Sequence, residues 1–174
     1  EGLEMKRIVS NATPLIYLAK AGKLDLLRFV FREVVIPEEV KVEVVDTGKS
    51  LGEKDAYIVE KTINEGWIKV LSGEILEVPI KLDPGGTAVL SLAKKLGIKE
   101  VLVDEVSARV AARLLDLTPR GTIYVLLRSL KERKIDLDEF LEILNQMVGH
   151  GFRLKEEVYV EAIKEARRID GEDE

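Results

Sequence analysis

The amino-acid sequence predicts a three-layer α/β/α domain built around a central parallel sheet. Short apolar runs rich in Val and Ile alternate along the chain with longer stretches of helical period. The runs are continuous rather than alternating in polarity, which indicates strands that are buried on both faces. Hydrophobic residues make up 46% of the 174 residues, which is enough for one substantial core. Strands that alternate with helices favour crossover connections between parallel neighbours.

The predicted elements follow from this alternation. The apolar runs predicted as strands are 6–10, 33–37, 67–72, 100–104 and 117–119. The helices predicted between and after them are 12–22, 23–31, 38–49, 53–66, 87–97, 105–116 and 121–134. Pro37 suits the start of a helix, whereas Gly66 and Gly97 are typical of helix ends. Residues 73–86 are the least regular stretch, and we predict a loop there.

The α/β domain is predicted to cover residues 5–134, followed by helices over residues 135–169 that pack on it. The first of these helices carries one apolar stripe that must be buried somewhere: Leu137, Phe140, Leu141 and Leu144. Packing against the domain and self-association both satisfy that requirement. Residues 1–4 precede Met5 and are interpreted as cloning remnants, and the acidic end 170–174 is expected to fray.

Composition narrows the class of function. There is no Cys and only one His, so a disulfide framework, a cysteine zinc site and a Ser-His-Asp triad are not expected. Charged residues reach 34%, which is typical of a thermophile's protein. The net charge of −5 argues against binding nucleic acid by bulk electrostatics, although it permits a local metal site that recruits phosphate. No apolar run is long enough to span a membrane and no signal peptide pattern is present, so we expect a cytoplasmic protein.

Acidic and amide side chains stand where the predicted strands end. Asn11 follows the first strand, Glu43 lies on the helix after the second, Asp83 precedes the helix that leads to the fourth, and Asp104 and Glu105 follow the fourth. Ligands of open parallel sheets bind beyond the carboxyl ends of the strands. Oxygen ligands gathered there suit a hard divalent cation such as Mg²⁺ or Mn²⁺.

Each of these residues also has a structural interpretation. Asn11 and Asp104 are good helix N-caps at strand-to-helix turns. Glu43 fits a surface carboxylate whose stem lies along an apolar helix face. Asp83 begins an Asp-Pro-Gly-Gly sequence that is typical of a turn. A capping side chain can keep one oxygen free, so capping and ligand roles are compatible.

Several stretches together resemble the toxin-type, VapC-like branch of the PIN domain family. The stretches that carry the resemblance are "IVSNATPLIYLAKAGKLDLL", "VVIPEEVKVEVV", "GGTAVLSLAKKLG", "VLVDEVSARVAARLLDL", "GTIYVLLRSLKERKI" and "GFRLKEEVYVEAI". The resemblance covers most of the chain and lies in the order and spacing of the stretches. It implies a parallel-sheet α/β/α fold and a Mg²⁺- or Mn²⁺-dependent ribonuclease, often the toxin of a toxin–antitoxin pair.

The resemblance also implies a cluster of four acids, from which this sequence departs. The second and fourth acids fall on Glu43 and Asp104, which the resemblance implies as the metal ligands. The first falls on Asn11, which offers one neutral oxygen and no charge. The acid that opens the later helix falls on Gly86 and is lost. Metal affinity in such sites depends on the number of negative ligands, so we expect weak binding and slow hydrolysis.

Further site residues follow from the same resemblance. The small hydroxyl residues of the family fall on Thr13 and Thr122, which are expected to contact substrate. Asp83 or Glu105 is expected to compensate for the missing acids if the site is active. Two functions fit this pattern: a metal-dependent endoribonuclease, and a non-catalytic module that binds RNA or protein. RNA is the expected partner, with an antitoxin protein and a second copy of the chain as further candidates.

Overall fold

The computed structural model describes residues 6–172, in which five strands form one parallel sheet flanked by helices. The strands are β1 (Lys6–Ser10), β2 (Phe31–Pro37), β3 (Ile68–Leu71), β4 (Glu100–Leu102) and β5 (Thr118–Arg120). The sheet order is β3-β2-β1-β4-β5, and each neighbouring pair is parallel. The predicted three-layer α/β/α class is therefore confirmed.

Helices fill the connections between the strands and the end of the chain. The α-helices are α1 (Ala12–Lys20), α2 (Leu26–Val30), α3 (Glu38–Lys41), α4 (Gly48–Ser50), α5 (Lys54–Glu65), α6 (Pro84–Leu96), α7 (Val106–Leu114), α8 (Thr122–Lys131), α9 (Leu137–Gly149) and α10 (Glu156–Gly171). A π-helical stretch, Val42–Thr47, joins α3 to α4. Within residues 6–172, no helix is long and apolar enough to cross a membrane. The predicted start at Met5 and the last two residues of the acidic end lie outside the described residues.

β1 is the central strand and fixes the register of the sheet. Ile8 pairs with Val34 of β2 on one side and with Glu100 of β4 on the other. Ile8 and Val34 are buried, as expected for strands covered on both faces. Because all five strands run in the same direction, the residues that follow β1, β2 and β4 meet at one edge of the sheet. We call this the carboxyl edge.

The predicted loop over residues 73–86 is wrong at its end, because α6 begins at Pro84. Asp83 is the N-cap of α6, and its Oδ1 accepts the backbone N–H of Gly86 at 2.7 Å. Pro84 occupies the first helical position, where its missing N–H costs nothing. The same four residues that are typical of a turn therefore form a cap and a first helical turn, which places Gly85 and Gly86 inside the helix.

The predicted helix over residues 23–31 is also too long, since α2 covers only Leu26–Val30. Phe31 already has extended backbone geometry and begins β2, where its side chain is buried. The apolar pattern continues without interruption from the helix into the strand, so periodicity alone does not locate the boundary.

The apolar stripe of the C-terminal segment packs inside the molecule. Phe140 and Leu144 of α9 are fully buried. α9 contacts α1, α8 and α10, and it begins with a capping box in which Asp136 and Glu139 exchange side-chain and backbone hydrogen bonds. The stripe is therefore covered by the chain's own helices.

Candidate active site

Asn11 links β1 to α1 at the centre of the carboxyl edge. Its backbone N–H donates to the carbonyl of Leu102 at 2.9 Å, which extends the pairing of β1 with β4. Its side chain is the N-cap of α1, and Oδ1 accepts the backbone N–H of Ala12 at 2.9 Å. The predicted capping role is thus confirmed. A carbonyl oxygen has two acceptor positions, so the cap leaves one for another partner.

Glu43 reaches the same edge from the π-helical stretch that follows β2. Val44 and Val45 of this stretch are buried, whereas Glu43 is exposed. Single π-helical turns inside α-helices are frequent at functional sites, because the extra residue changes the direction of the side chains. Protein atoms around the carboxylate raise the pKa of Glu43 by desolvation, and the negative charges of Asp83 and Glu105 raise it further.

Gly85 leaves open the space between Asn11 and Glu43. A Cβ atom added to Gly85 would lie 3.2 Å from Asn11 Oδ1 and 3.5 Å from Glu43 Oε1. The two oxygens therefore face one small volume. A Cβ on Gly86 would instead lie 3.1 Å from Asp83 Oδ1 and next to the side chain of Leu82. Of these two glycines, Gly85 is the one that borders the Asn11 and Glu43 oxygens.

Asp104 has a different environment. Its Oδ1 accepts the backbone N–H of Thr122 at 2.8 Å, and its Oδ2 accepts the Thr122 hydroxyl at 2.7 Å. Thr122 is the first residue of α8, and the N-cap Gly121 has no side chain, so Asp104, which follows the neighbouring strand β4, caps α8. The prediction that Asp104 caps the helix after its own strand is wrong, because α7 begins at Val106 with Glu105 as its N-cap.

Arg109 stands beside Asp104 and is the site residue that sequence reasoning missed. Its Nη1 donates to the carbonyl of Val103 at 3.1 Å. A Cβ on Gly121 would lie 3.0 Å from Asp104 Oδ1 and 3.1 Å from Arg109 Nη1, so only a glycine fits there without displacing one of them. The only signal in the sequence is an Arg in the first turn of the helix that follows the acid.

The protonation of Asp104 reflects competing influences. Burial raises the pKa of Asp104, while the two hydrogen bonds from Thr122 and the positive charge of Arg109 lower it. Burial is the larger influence and the net direction is upward. Part of the residue is still accessible to water, which limits how strongly burial acts.

The oxygens at the carboxyl edge fit a divalent cation only in part. Among residues 6–172, no three Asp, Glu, His or Cys side chains are arranged to hold one ion. Asn11 Oδ1 and Glu43 Oε1 are the pair that faces a common space. Mg²⁺ is commonly bound by one or two carboxylates, with substrate phosphates and water completing the coordination. The donor set therefore fits an ion whose coordination the substrate completes.

The remaining predicted site residues lie in different environments. Thr122 lies against Asp104, and it is fully buried. Thr13 is half-buried in the first turn of α1. Asp83 and Glu105 both lie within electrostatic reach of Glu43, as their influence on its pKa indicates.

Comparison with known proteins agrees with this architecture. A search of curated proteins found no match. A family model described as a PIN domain matches residues 7–168, which span all five strands and most of the helices. A PIN domain is a nuclease-type fold in general terms. The chain therefore belongs to the PIN domain family.

Proposed function

We propose that this protein is a metal-dependent endoribonuclease that hydrolyses phosphodiester bonds of RNA with Mg²⁺ or Mn²⁺. The observation that supports the proposal most directly is the space beside Gly85, which Asn11 Oδ1 and Glu43 Oε1 both face. PIN domains generally use divalent metals, and these two oxygens are ligands of the kind that such ions prefer. The choice of RNA as substrate rests on the resemblance to the toxin-type branch.

Glu43 is the principal ligand in this proposal. Its pKa is raised by desolvation and by the nearby charges of Asp83 and Glu105, so a cation beside it relieves an unfavourable concentration of negative charge. A bound divalent ion polarises the phosphate and makes a bound water molecule more acidic. Asn11 adds a neutral oxygen. With few negative ligands from the protein, binding of a divalent ion would depend on a phosphate oxygen of the substrate as a further ligand.

Asp104 contributes from a fixed position. Thr122 holds both carboxylate oxygens, and Arg109 lies across Gly121. Each carboxylate oxygen has a further acceptor position, so these bonds do not exclude a metal ligand. In the proposal, Asp104 supplies a second negative charge to the ion with little freedom to move. Asp83 is engaged as the cap of α6 and assists through its charge.

The test is cleavage of mixed-sequence RNA by the full chain with Mg²⁺ or Mn²⁺. Glu43→Gln removes the charge while keeping the size of the side chain, and we expect it to abolish metal-dependent cleavage. Glu142→Gln is the matched control, because Glu142 is an exposed helical glutamate in α9. The control is expected to cleave like the wild type, and removal of the metal with a chelator is expected to stop both.

Two results would contradict the proposal. Cleavage that is unaffected by Glu43→Gln would show that this carboxylate is not a ligand. RNA binding without cleavage in either metal would instead favour the non-catalytic RNA-binding module. The toxin role and an antitoxin partner stay predictions from the resemblance.

A further inference from the structure

Asp104 and Arg109 present opposite charges next to the backbone of Gly121. Asp104 Oδ1 lies 3.0 Å and Arg109 Nη1 lies 3.1 Å from the position that a Cβ atom on Gly121 would take. The two atoms are therefore no more than about 6 Å apart, a separation that one oxygen atom bridges with two hydrogen bonds of ordinary length. Within residues 6–172, no hydrogen bond or ion pair joins them directly. We call the space between these two atoms, above Gly121, the Gly121 notch.

Both atoms that border the Gly121 notch keep hydrogen-bonding capacity. Asp104 Oδ1 accepts the backbone N–H of Thr122 at 2.8 Å, and a carboxylate oxygen has a second acceptor position. Arg109 Nη1 donates to the carbonyl of Val103 at 3.1 Å, and this nitrogen carries a second N–H. The bonds already made hold the two groups in place. The notch therefore offers one acceptor and one donor to a ligand.

The opposite charges of the two groups decide which ligand fits the Gly121 notch. A phosphate oxygen accepts from Arg109, but the negative charge of Asp104 repels it. An ammonium group donates to Asp104, but the positive charge of Arg109 repels it. A hydroxyl group is neutral and both donates and accepts, so it satisfies the two partners at once. The chemistry of the notch therefore favours a hydroxyl.

The Gly121 notch is accessible and lies beside the candidate active site. Asp104, Arg109 and Gly121 are each half-buried, so solvent reaches all three. Asp104 comes two residues after Leu102, whose carbonyl accepts the backbone N–H of Asn11 at 2.9 Å. Neighbouring strands lie about 4.8 Å apart, so the notch is next to Asn11 along the carboxyl edge.

A nucleic acid strand at this edge presents its sugars to the Gly121 notch. In the proposed function, one phosphate of the substrate lies beside Asn11 and Glu43. The sugar next to that phosphate is then within reach of Asp104 and Arg109. RNA carries a 2′-hydroxyl on every sugar and DNA does not, so a contact to this group distinguishes the two nucleic acids.

We propose that Asp104 Oδ1 and Arg109 Nη1 bind a ribose 2′-hydroxyl of the substrate in the Gly121 notch, so that the protein prefers RNA to DNA. This inference rests on the proposed function, because it states which sugar the same site accepts. The hydroxyl accepts from Arg109 and donates to Asp104 Oδ1. The second acceptor position of Asp104 Oδ2 stays available to the metal ion. A site built to bind a hydroxyl rejects an analogue without it, because its polar groups are then left unpaired.

The experiment compares binding of a short, labelled single-stranded RNA with binding of the DNA of the same sequence, in which uracil is kept in place of thymine. Fluorescence anisotropy is measured with the full chain and a chelator, so that no metal-dependent cleavage occurs. We expect the wild type to bind the RNA about ten-fold more tightly than the DNA, because the hydroxyl makes two hydrogen bonds to charged groups.

Arg109→Met removes the donor and keeps the length of the side chain, and we expect the preference for RNA to disappear. Arg113→Met is the matched control, because Arg113 is an exposed arginine in the last turn of the same helix. The control loses the same charge and is expected to keep the ten-fold preference. A loss of affinity for DNA that both variants share reflects the lost charge alone.

Gly121→Ala is a second test, because its methyl group enters the notch. Gly121 has a backbone φ of −108°, which alanine also adopts. We expect the preference for RNA to disappear here too, with little change in affinity for DNA. Gly149→Ala is the control, since a Cβ there has no neighbour within 4 Å. If Gly121→Ala does not fold, the ratio measured for Arg109→Met decides.

The outcomes separate this inference from the proposed function. Equal binding of RNA and DNA by the wild type, or a preference that Arg109→Met retains, would overturn the hydroxyl contact, whereas cleavage that depends on Glu43 would still support the nuclease. A preference that is lost only in Arg109→Met and Gly121→Ala, without cleavage by the wild type, would support the contact and overturn the nuclease. Failure of the wild type to bind either nucleic acid would overturn the contact.

Discussion

Glu43 and Asp104 are carboxylates at the same edge of one sheet, and burial raises the pKa of both, yet their partners differ. Asp104 accepts two hydrogen bonds from Thr122 and lies beside Arg109. Glu43 is exposed and has two other acids as its charged neighbours. Asp104 is held by hydrogen-bond donors of the protein, whereas the charged neighbours of Glu43 are acids, whose repulsion a bound cation or proton would offset.

The difference shows that position at the edge does not by itself decide the role of an acid. β4 delivers Asp104 to the uncapped start of α8, where Gly121 supplies no side-chain acceptor. Backbone N–H groups without an acceptor at a helix start favour a carboxylate. Asp104 therefore already has a structural role as the cap of α8. Within residues 6–172 the Glu43 carboxylate accepts no hydrogen bond from a helix start, and Asn11 and Asp83 already cap α1 and α6. The free energy of folding should therefore depend on Asp104, and metal binding should depend on Glu43.

The largest expected effect tests the structural side of this comparison. Asp104→Ala leaves the backbone N–H and the buried hydroxyl of Thr122 without their acceptor. We expect the free energy of unfolding to fall by about 2–3 kcal/mol, measured by urea denaturation. Glu105→Ala is the control, because Glu105 is exposed and makes no side-chain capping bond, and it should change stability little. Equal losses in the two variants would remove the distinction drawn for Asp104.

Adding a negative charge next to Glu43 tests the prediction that metal binding depends on this carboxylate. Asn11→Asp keeps the shape and the capping ability of the side chain, but it adds a negative charge at a buried position beside Glu43, so stability in the absence of metal should fall. It adds a negative ligand beside the space at Gly85, and we expect Mn²⁺ affinity measured by calorimetry to rise about ten-fold. Tight binding by the wild type with no gain in the variant would show that Asp83 or Glu105 already supplies the missing charge.

A smaller effect is expected from filling the space that the two oxygens share. In Gly85→Ala the new methyl group would lie 3.2 Å from Asn11 Oδ1, so this oxygen must move by a few tenths of an ångström, and the methyl group would fill the space that it shares with Glu43 Oε1. We expect Mn²⁺ affinity to fall several-fold while the fold is kept. Gly149→Ala is the control, since a Cβ there has no neighbour within 4 Å. Unchanged Mn²⁺ binding in Gly85→Ala would place the ion elsewhere.

The smallest expected effect is the pH dependence of stability contributed by Glu43. Its pKa is raised in the folded state, so the folded chain binds this proton more tightly than the unfolded chain. The unfavourable contribution of Glu43 is fully present above the folded pKa and disappears as the pH falls towards the unfolded value. Glu43→Gln should therefore be more stable than the wild type at neutral pH, by less than about 1 kcal/mol because the side chain is exposed. The difference should vanish in acid, and a variant that is less stable at neutral pH would contradict this assignment.

Much of the fold could be predicted because its signals are local. Apolar runs and helical periods lie within single elements, and Gly66 and Gly97 end α5 and α6 as expected. The predicted start of α6 is wrong because an Asp-Pro sequence begins turns and helices alike. Only the hydrogen bond from Gly86 to Asp83 distinguishes the two, and that bond forms with the helix itself.

The site could be predicted only in part, for a physical reason. Parallel topology places Asn11, Glu43 and Asp104 at one edge whatever their detailed contacts. The bond between Asp104 and Thr122 spans 18 residues and depends on how α8 packs against the sheet. The position of Arg109 depends in the same way on the absence of a side chain at Gly121. Contacts of this kind follow from tertiary packing, which local sequence does not specify.

The π-helical stretch Val42–Thr47 changes the directions in which side chains leave the helix that carries Glu43. Residues before and after the wide turn no longer follow the spacing of one regular α-helix. The far end of the stretch is fixed by Gly48, where a Cβ would lie only 2.8 Å from the Cβ of Ala56. Each residue of an α-helix advances the rotation by about 100°, so the extra residue of the wide turn absorbs one such step. Deleting one residue from the stretch would make the helix regular, and it would then turn either Glu43 away from Gly85 or Gly48 away from Ala56. The extra residue thus allows one continuous helical segment to direct Glu43 towards Gly85 and Gly48 towards Ala56.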